Sequence, residues 1–131
     1  MKLIDTSAWV EFLRRQGDLQ VKQAVARLIQ SDQAAYTCPI RFELLTGARI
    51  SEEEDIDRAL SLGHHFLFCP EDWREAALLE RRLREEGFTI PRIDLFVATV
   101  AVRTGLTLIC RDSHFDIIRK AFGNKFTVEQ I

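Results

Sequence analysis

The stretch IPRIDLFVATVAVRTG, residues 90–105, decides the fold because it predicts a helix that is apolar on nearly every side. After Asp94 the chain runs without a charge until Arg103. A helix of this composition belongs in the interior of a domain. Asp94 therefore stands at the mouth of a buried helix, where an unpaired carboxylate costs several kcal/mol. The sequence thus raises the question of what neutralises this charge.

Short β-like segments alternate with longer helical patterns on both sides of this helix. This alternation predicts βαβ units, hence a mostly parallel sheet of about five strands covered by helices on both faces. We expect an α/β fold and one domain over residues 1–131. The predicted strands are Lys2–Ile4, Ala34–Thr37, His65–Phe68, Thr107–Ile109 and Lys125–Val128. The predicted helices are Trp9–Arg14, Val21–Leu28, Ile40–Arg49, Glu52–Leu60, Asp72–Glu86, Ile93–Arg103 and Asp116–Phe122.

The composition excludes several classes of protein. A formal net charge of −2 argues against a protein that coats nucleic acid with a dominant basic surface, but permits local chemistry on a phosphodiester. The three cysteines, Cys38, Cys69 and Cys110, form no CxxC pattern and indicate free thiols in a reducing compartment. The sequence has no signal peptide and no run long enough to span a membrane, so we expect a cytoplasmic protein without membrane contact.

Four acidic residues occupy related places in the predicted alternation. Asp5 follows the first strand and Asp112 follows the fourth, whereas Glu43 lies one turn into the helix after the second strand. Strand-to-helix junctions of a parallel sheet fall on one edge, so these side chains and Asp94 are expected to converge there. Taken singly, each acid has an ordinary alternative as a helix cap, a helix-dipole partner or a solvated residue.

A converged set of acids requires protons or a cation. Two carboxylates about 5 Å apart repel by roughly 3 kcal/mol at an effective dielectric constant of about 20. Oxygen ligands without a cluster of His or Cys favour Mg²⁺ or Mn²⁺, and such ions suit phosphodiester hydrolysis. The sequence therefore predicts that one set of residues is both catalytic and metal-binding: Asp5, Glu43, Asp94 and Asp112.

Further polar residues lie close to these acids in the chain. Three arginines stand one or two residues from an acid and are candidates for phosphate binding, with carboxylate pairing as the alternative: Arg41, Arg92 and Arg111. His114 is within reach of the predicted pocket in sequence, with a surface position as the alternative.

These motifs, taken together, resemble those of PIN-domain ribonucleases, and above all the VapC-type toxins of toxin–antitoxin pairs. The likeness is carried by LIDTSAWVEFLR, by FELLTG with its E-x-x-x-G, by IPRIDLFVATVAVRTGLTLICRD and by the HF that follows. It spans essentially the whole chain, in order and at family-like spacing.

The resemblance implies a PIN-like α/β/α sandwich with an acidic Mg²⁺ or Mn²⁺ site. It implies the toxin of a type II toxin–antitoxin system, an endoribonuclease that cleaves structured RNA such as tRNA or rRNA. It also implies a homodimer and a cognate antitoxin that wraps the toxin and blocks its site.

The resemblance also assigns roles to particular residues. It maps the family's acids to the four named above and its amino-terminal hydroxyl to Thr6 or Ser7. Cys110 stands where the family usually has Thr, and the fourth acid varies among relatives, so Asp116 is an alternative to Asp112. Candidate antitoxin contacts are the apolar residues of the helices after the first two strands, with a core position as the alternative: Trp9, Phe12, Leu13, Phe42 and Leu45.

Two other functions compete with the nuclease. A phospho-acceptor signalling domain has similar length and alternation, but it requires adjacent acids after the first strand and an acceptor Asp after the third. Here Asp5 stands alone and Cys69–Pro70 follows the third predicted strand. A catalytically inactive PIN-like module that binds only protein is the second alternative, and the retained acids argue against it.

Overall fold

The computed structural model describes residues 1–131, and its core is a five-stranded parallel sheet in the order β3-β2-β1-β4-β5. The strands are β1 Lys2–Ile4, β2 Ala34–Thr37, β3 His64–Phe66, β4 Thr107–Cys110 and β5 Val128–Gln130. The α-helices are α1 Thr6–Leu13, α2 Leu19–Gln30, α3 Cys38–Gly47, α4 Glu53–Leu60, α5 Pro70–Glu85, α6 Arg92–Thr104 and α7 His114–Phe122. Short 3₁₀ turns cover Ile50–Glu52 and Gly123–Lys125. The predicted α/β class is confirmed, and the sheet is wholly rather than mostly parallel.

The strand order reverses at the centre of the sheet. β1 pairs with β2 on one side and with β4 on the other. The chain therefore builds β2 and β3 on one side of β1, and then crosses over to build β4 and β5 on its other side. α1 packs against α2 and α3, whereas α6 packs against α5 and α7. A crevice at the carboxyl ends of β1 and β4 follows from this topology, and such switch points bind ligands in parallel α/β sheets.

The predicted apolar helix is α6, and it is buried as expected. Leu95, Val97, Ala98, Val100 and Ala101 expose 1% or less of their surface. The helix ends at Gly105, whose φ of 71° is left-handed and disfavours any side chain. None of the helices is both long and apolar enough to cross a membrane.

An ion pair between the buried Asp72 and the partly exposed Arg103 fixes α5 against α6. Asp72 is 1% exposed and accepts two hydrogen bonds from Arg103, at 2.8 Å from Nε and 3.0 Å from Nη2. The same carboxylate accepts from the Cys69 backbone N–H, and Arg103 also donates to the Leu67 carbonyl. The pair therefore joins the start of α5, the end of α6 and the chain after β3.

Two strands lie elsewhere than the sequence predicted. β3 is His64–Phe66 rather than His65–Phe68, because the Phe68 N–H turns to the Cys38 sulfur and the Leu67 carbonyl to Arg103. β5 is Val128–Gln130 rather than Lys125–Val128, because Gly123–Lys125 forms a 3₁₀ turn before the strand.

Candidate metal centre

Asp5 extends β1 into the crevice and is 2% exposed. Its Oδ2 accepts hydrogen bonds from the Ser7 backbone N–H at 3.0 Å and from Ser7 Oγ at 2.6 Å. Its Oδ1 is buried without a hydrogen-bond partner among the protein's own groups. Burial raises the pKa of this carboxyl to about 6, against the lowering effect of the Ser7 hydrogen bonds, and the charge of Glu43 raises it further.

Asp94 lies in the first turn of α6, across the crevice from Asp5, and is 5% exposed. Burial raises its pKa to about 7, and the charges of Asp5, Asp112 and Glu43 add to this effect. Folding therefore brings the four predicted acids near enough to act on one another electrostatically. In the metal-free protein this crowding favours bound protons, as expected for a site built to neutralise charge with a cation.

His114 joins Asp94 to Asp112. Its Nδ1 lies 3.0 Å from Asp94 Oδ2 and 3.1 Å from Asp112 Oδ1, and its backbone N–H also donates to Asp112 Oδ1 at 2.9 Å. An ionised carboxylate only accepts hydrogen bonds, so the contact with Asp94 or Asp112 is a hydrogen bond in the tautomer that has its hydrogen on Nδ1. The sequence analysis placed His114 near the predicted pocket but assigned it no role. The only signal for a role was its position two residues after Asp112.

The acids differ in how closely they meet. Ligand atoms of Asp94, Asp112 and His114 all lie within 4.8 Å of one another, as in a metal-binding group. Glu43 is half-buried on α3 and stands further out, although its charge raises the pKa of both Asp5 and Asp94. The inner set is therefore Asp94 and Asp112 with His114, with Asp5 beneath it and Glu43 at the rim.

The donor set fits a hard divalent cation. It consists mainly of carboxylate oxygens, and the unpaired buried Oδ1 of Asp5 offers a further acceptor. Both carboxyls with large shifts have a raised pKa, first because they are buried and then because other acids lie close, and a bound cation would offset both effects. The oxygen-rich donor set and the raised pKa values are the two observations that support binding of a divalent cation here.

The auxiliary candidates occupy different positions. Ser7 bridges two strand ends, since its Oγ donates to Asp5 and accepts from the Arg111 backbone N–H at 2.9 Å. Thr6 is buried at the start of α1 with an unpaired hydroxyl. Asp116 is exposed on α7 and contacts Gln130 Nε2 at 3.4 Å, and the same nitrogen donates to the Asp112 carbonyl at 2.8 Å. Asp112, rather than Asp116, therefore contacts His114 and belongs to the inner set.

Each candidate phosphate-binding arginine is paired with an acid. Arg41 Nη2 lies 2.9 Å from Asp57, Arg92 Nε lies 3.1 Å from Glu80, and Arg111 Nη2 lies 2.9 Å from Asp18. The alternative of carboxylate pairing thus describes this structure. Partly exposed pairs of this kind contribute about 0–1 kcal/mol, so an arriving phosphate can displace the acid at little cost.

The candidate antitoxin contacts divide into three kinds. Trp9 was wrongly placed on this surface, because its side chain is wholly buried in the core. Phe12, Leu13 and Leu45 are partly buried against that core. Phe42 is 60% exposed beside an aromatic cluster of Phe68, Trp73 and Phe96.

A groove runs from the α1–α3 contact toward Glu43. Its apolar floor is formed by Val10, Leu13, Leu44 and Ile56, with acidic residues at its margin. Gly47, the last residue of α3, leaves space above this floor, since a Cβ there would meet nothing within 4 Å.

Comparison with known proteins assigns this architecture. The family model of the PIN domain matches residues 2–121. The chain belongs to the PIN-domain family. This PIN domain is 36% identical over 125 residues to VapC ribonuclease Mb1587 of Mycobacterium bovis and to ribonuclease VapC11 of Mycobacterium tuberculosis, with 92% of each chain covered. The resemblance drawn from the sequence motifs is therefore confirmed.

Solved structures share the fold of this PIN domain. DNA-bound VapBC from Salmonella typhimurium superposes with a TM-score of 0.79 at 13% identity, covering 99% of this chain and 98% of that one. The toxin–antitoxin complex from Klebsiella pneumoniae has a TM-score of 0.71 at 20% identity over the whole of both chains. The phospho-acceptor alternative is wrong, since the chain is a PIN domain and Leu67, Phe68 and Cys69 follow β3.

Proposed function

We propose that this PIN domain is a Mg²⁺- or Mn²⁺-dependent endoribonuclease that cleaves structured RNA, tRNA or rRNA, as the toxin of a type II toxin–antitoxin system. The single observation that carries the proposal is the convergence of buried carboxyls with a raised pKa at the sheet's switch point. The relatives at 36% identity are ribonucleases by name, which supports the same reaction.

The residues at the crevice have two roles: some would bind the cation, and others position the residues that bind it. Asp94 and Asp112 would hold the cation, with Asp5 and Glu43 completing its charge balance. The cation, when bound, supplies an activated water and charge stabilisation at the leaving oxygen. Ser7 holds Asp5 in place through two hydrogen bonds, and His114 orients the facing oxygens of Asp94 and Asp112.

The arginines at the crevice support RNA as the substrate. Arg111 is the nearest of them in the chain to Asp112 and connects to Asp5 through Ser7. Its guanidinium pairs with Asp18 at the start of α2, a partly exposed contact that an RNA phosphate can replace. Phosphates on either side of the cleaved bond would thereby be held while the acids act at the centre.

The groove beside Glu43 supports a protein partner. Its apolar floor and acidic margin match an amphipathic segment with apolar and basic side chains. A cognate antitoxin that places such a segment there would cover Glu43 and obstruct the cation site. The exposed aromatic cluster around Phe42 and Trp73 offers a second apolar surface, in keeping with the homodimer that the sequence resemblance implies.

The decisive test compares Asp94→Asn with wild type in a Mg²⁺- or Mn²⁺-dependent RNA cleavage assay. We expect a loss of about a hundredfold or more, because the amide cannot supply the charge that the cation requires, and a melting temperature in EDTA at or above that of wild type. Glu85→Gln, an exposed acid on α5, is the matched control and should cleave like wild type. Wild-type cleavage by Asp94→Asn would refute the assignment.

A second experiment identifies the substrate. Regulated expression in a bacterial host, followed by sequencing of newly formed RNA ends, should show growth arrest and one dominant cleavage site. A protein-binding module without catalysis would produce neither new ends nor any carboxylate-dependent uptake of Mn²⁺ in calorimetry.

A further inference from the structure

Thr37 ends β2 with a hydroxyl that the fold does not use. The residue is 0% exposed, and its Oγ has no hydrogen-bond partner among the protein's own groups. Thr37 also precedes α3 at the capping position, yet it forms no side-chain capping bond there. A buried hydroxyl without a partner costs about 1–3 kcal/mol, so its presence points to a function outside the fold itself.

The strand register places this hydroxyl next to Asp5. Leu3 of β1 pairs with Ala35 of β2, so Asp5 and Thr37 stand level, two residues further along their strands. Both residues have extended backbone angles. In-register residues of parallel strands about 4.8 Å apart point to the same face of the sheet, so the two side chains are neighbours.

The free atoms of the two side chains are complementary. Ser7 occupies Oδ2 of Asp5 with two donors, which leaves Oδ1 as a buried acceptor. On the other side of Asp5 the register places Cys110, whose sulfur is directed to the Asp112 carbonyl at 3.8 Å. Two hydroxyls near Asp5 are therefore unengaged, those of Thr6 and Thr37, and Thr37 is the one that the register sets beside Asp5 on a neighbouring strand. One water with hydrogen bonds of about 2.8 Å to each side spans a gap between adjacent strands.

We propose that Thr37 is a positioning residue of the metal centre, whose hydroxyl shares one ordered water with Asp5 Oδ1 and so fixes the Asp5 carboxylate for the cation. This inference rests on the proposed function, because it assigns Thr37 a role only in a site that binds a divalent ion. Groups that orient a ligand from behind typically alter metal affinity by about 10–100-fold when they are removed.

The test is calorimetric titration of Mn²⁺ into the purified full chain, with two variants of one residue. Thr37→Val keeps the shape and removes the hydroxyl, and it should weaken Mn²⁺ binding about tenfold or more. Thr37→Ser keeps the hydroxyl and should bind Mn²⁺ within about twofold of wild type. In EDTA, Thr37→Val and Thr37→Ser should both still unfold cooperatively, because the fold does not depend on this one hydroxyl.

The outcomes separate this inference from the proposed function. Equal Mn²⁺ affinity of Thr37→Val and wild type would overturn the inference alone, and so would a Thr37→Ser defect as large as that of Thr37→Val. Loss of cooperative unfolding by Thr37→Val in EDTA would show that the hydroxyl serves the fold as a whole, which also overturns it. A wild-type chain that takes up no Mn²⁺ would instead overturn the proposed function, and the inference with it.

Discussion

His114 Nδ1 lies 3.0 Å from Asp94 Oδ2, and this contact joins the first turn of α7 to the first turn of α6. The same nitrogen lies 3.1 Å from Asp112 Oδ1. One imidazole thus sets the separation of two carboxylates that come from different crossovers of the sheet. The site is held together by side chains that are not themselves acids.

Replacing His114 by Ala should therefore lower the rate of RNA cleavage by about 10–100-fold, because Asp94 and Asp112 lose the group that orients them. The melting temperature should stay near that of wild type, since His114 is partly exposed. Cleavage assays at saturating Mn²⁺ measure the effect. His64→Ala, a histidine on the edge strand β3, is the control, and equal rates for the two variants would contradict the role given to His114.

The metal-free protein should become less stable as the pH rises from about 4 to 7. Asp5 and Asp94 have a folded-state pKa of about 6 and about 7, above the ordinary value of 3.8. The folded state therefore binds these protons more tightly than the unfolded state, and stability is lost as they dissociate.

Mn²⁺ should reverse this loss, and the rise in melting temperature that it causes should be larger at pH 8 than at pH 5, because protons compete for the same oxygens. Thermal unfolding in EDTA and in Mn²⁺ at both pH values measures this. Asp94→Asn should weaken both trends. A Mn²⁺ effect that is independent of pH would show that the ion binds elsewhere.

Breaking the ion pair between α5 and α6 should destabilise the fold strongly. Asp72→Ala removes a carboxylate that is 1% exposed and leaves Arg103 and the Cys69 N–H without their acceptor. We expect the free energy of unfolding in urea to fall by about 2 kcal/mol, because the Cys69 N–H loses its acceptor whereas the partly exposed Arg103 can be hydrated. Asp57→Ala breaks the exposed pair with Arg41 and should cost less than about 1 kcal/mol. Similar losses for both variants would contradict this ranking.

Gly47 allows a side chain to be placed in the groove without harm to the fold. Its φ is not positive, and nothing lies within 4 Å of an added Cβ, so Gly47→Ala should stabilise α3 by about 0.5–1 kcal/mol. Gly47→Leu should keep the fold but prevent capture of the co-expressed cognate antitoxin, because its side chain fills the groove. Antitoxin capture by Gly47→Leu at the level of Gly47→Ala would place the partner elsewhere.

The sequence predicted most of the fold because its strongest signals are local. The apolar run after Asp94 and the alternation of strands with helices needed no knowledge of tertiary contacts. β5 was misplaced because a 3₁₀ turn at Gly123–Lys125 delays its start, whereas β3 was misplaced because side chains far away in sequence decide where it ends. The Cys38 sulfur and Arg103 take the polar groups of Phe68 and Leu67 away from β3, and no pattern within residues 64–68 reveals this.

The acidic residues of the candidate site could be predicted from the sequence, but the hydrogen bonds and side-chain contacts that hold them in place could not. Topology brings the ends of β1 and β4 together, so Asp5 and Asp112 could be placed at one edge from the sequence, and Asp94 was placed there as the carboxylate that begins the buried helix leading back to β4. The contacts of His114 and the register of Thr37 with Asp5 depend on how α7 and β2 are packed. Trp9 was misjudged because α1 turns its aromatic face inward, which the spacing of apolar residues leaves undecided.

The hydrogen bond from the Arg111 N–H to Ser7 Oγ spans 104 positions of the chain. Contacts between such remote segments require a long loop to close, which slows their formation. Ser7 is the group that holds Asp5, so an incompletely folded chain has no organised centre with which to attack RNA. We therefore expect nucleolytic activity only from completely folded molecules.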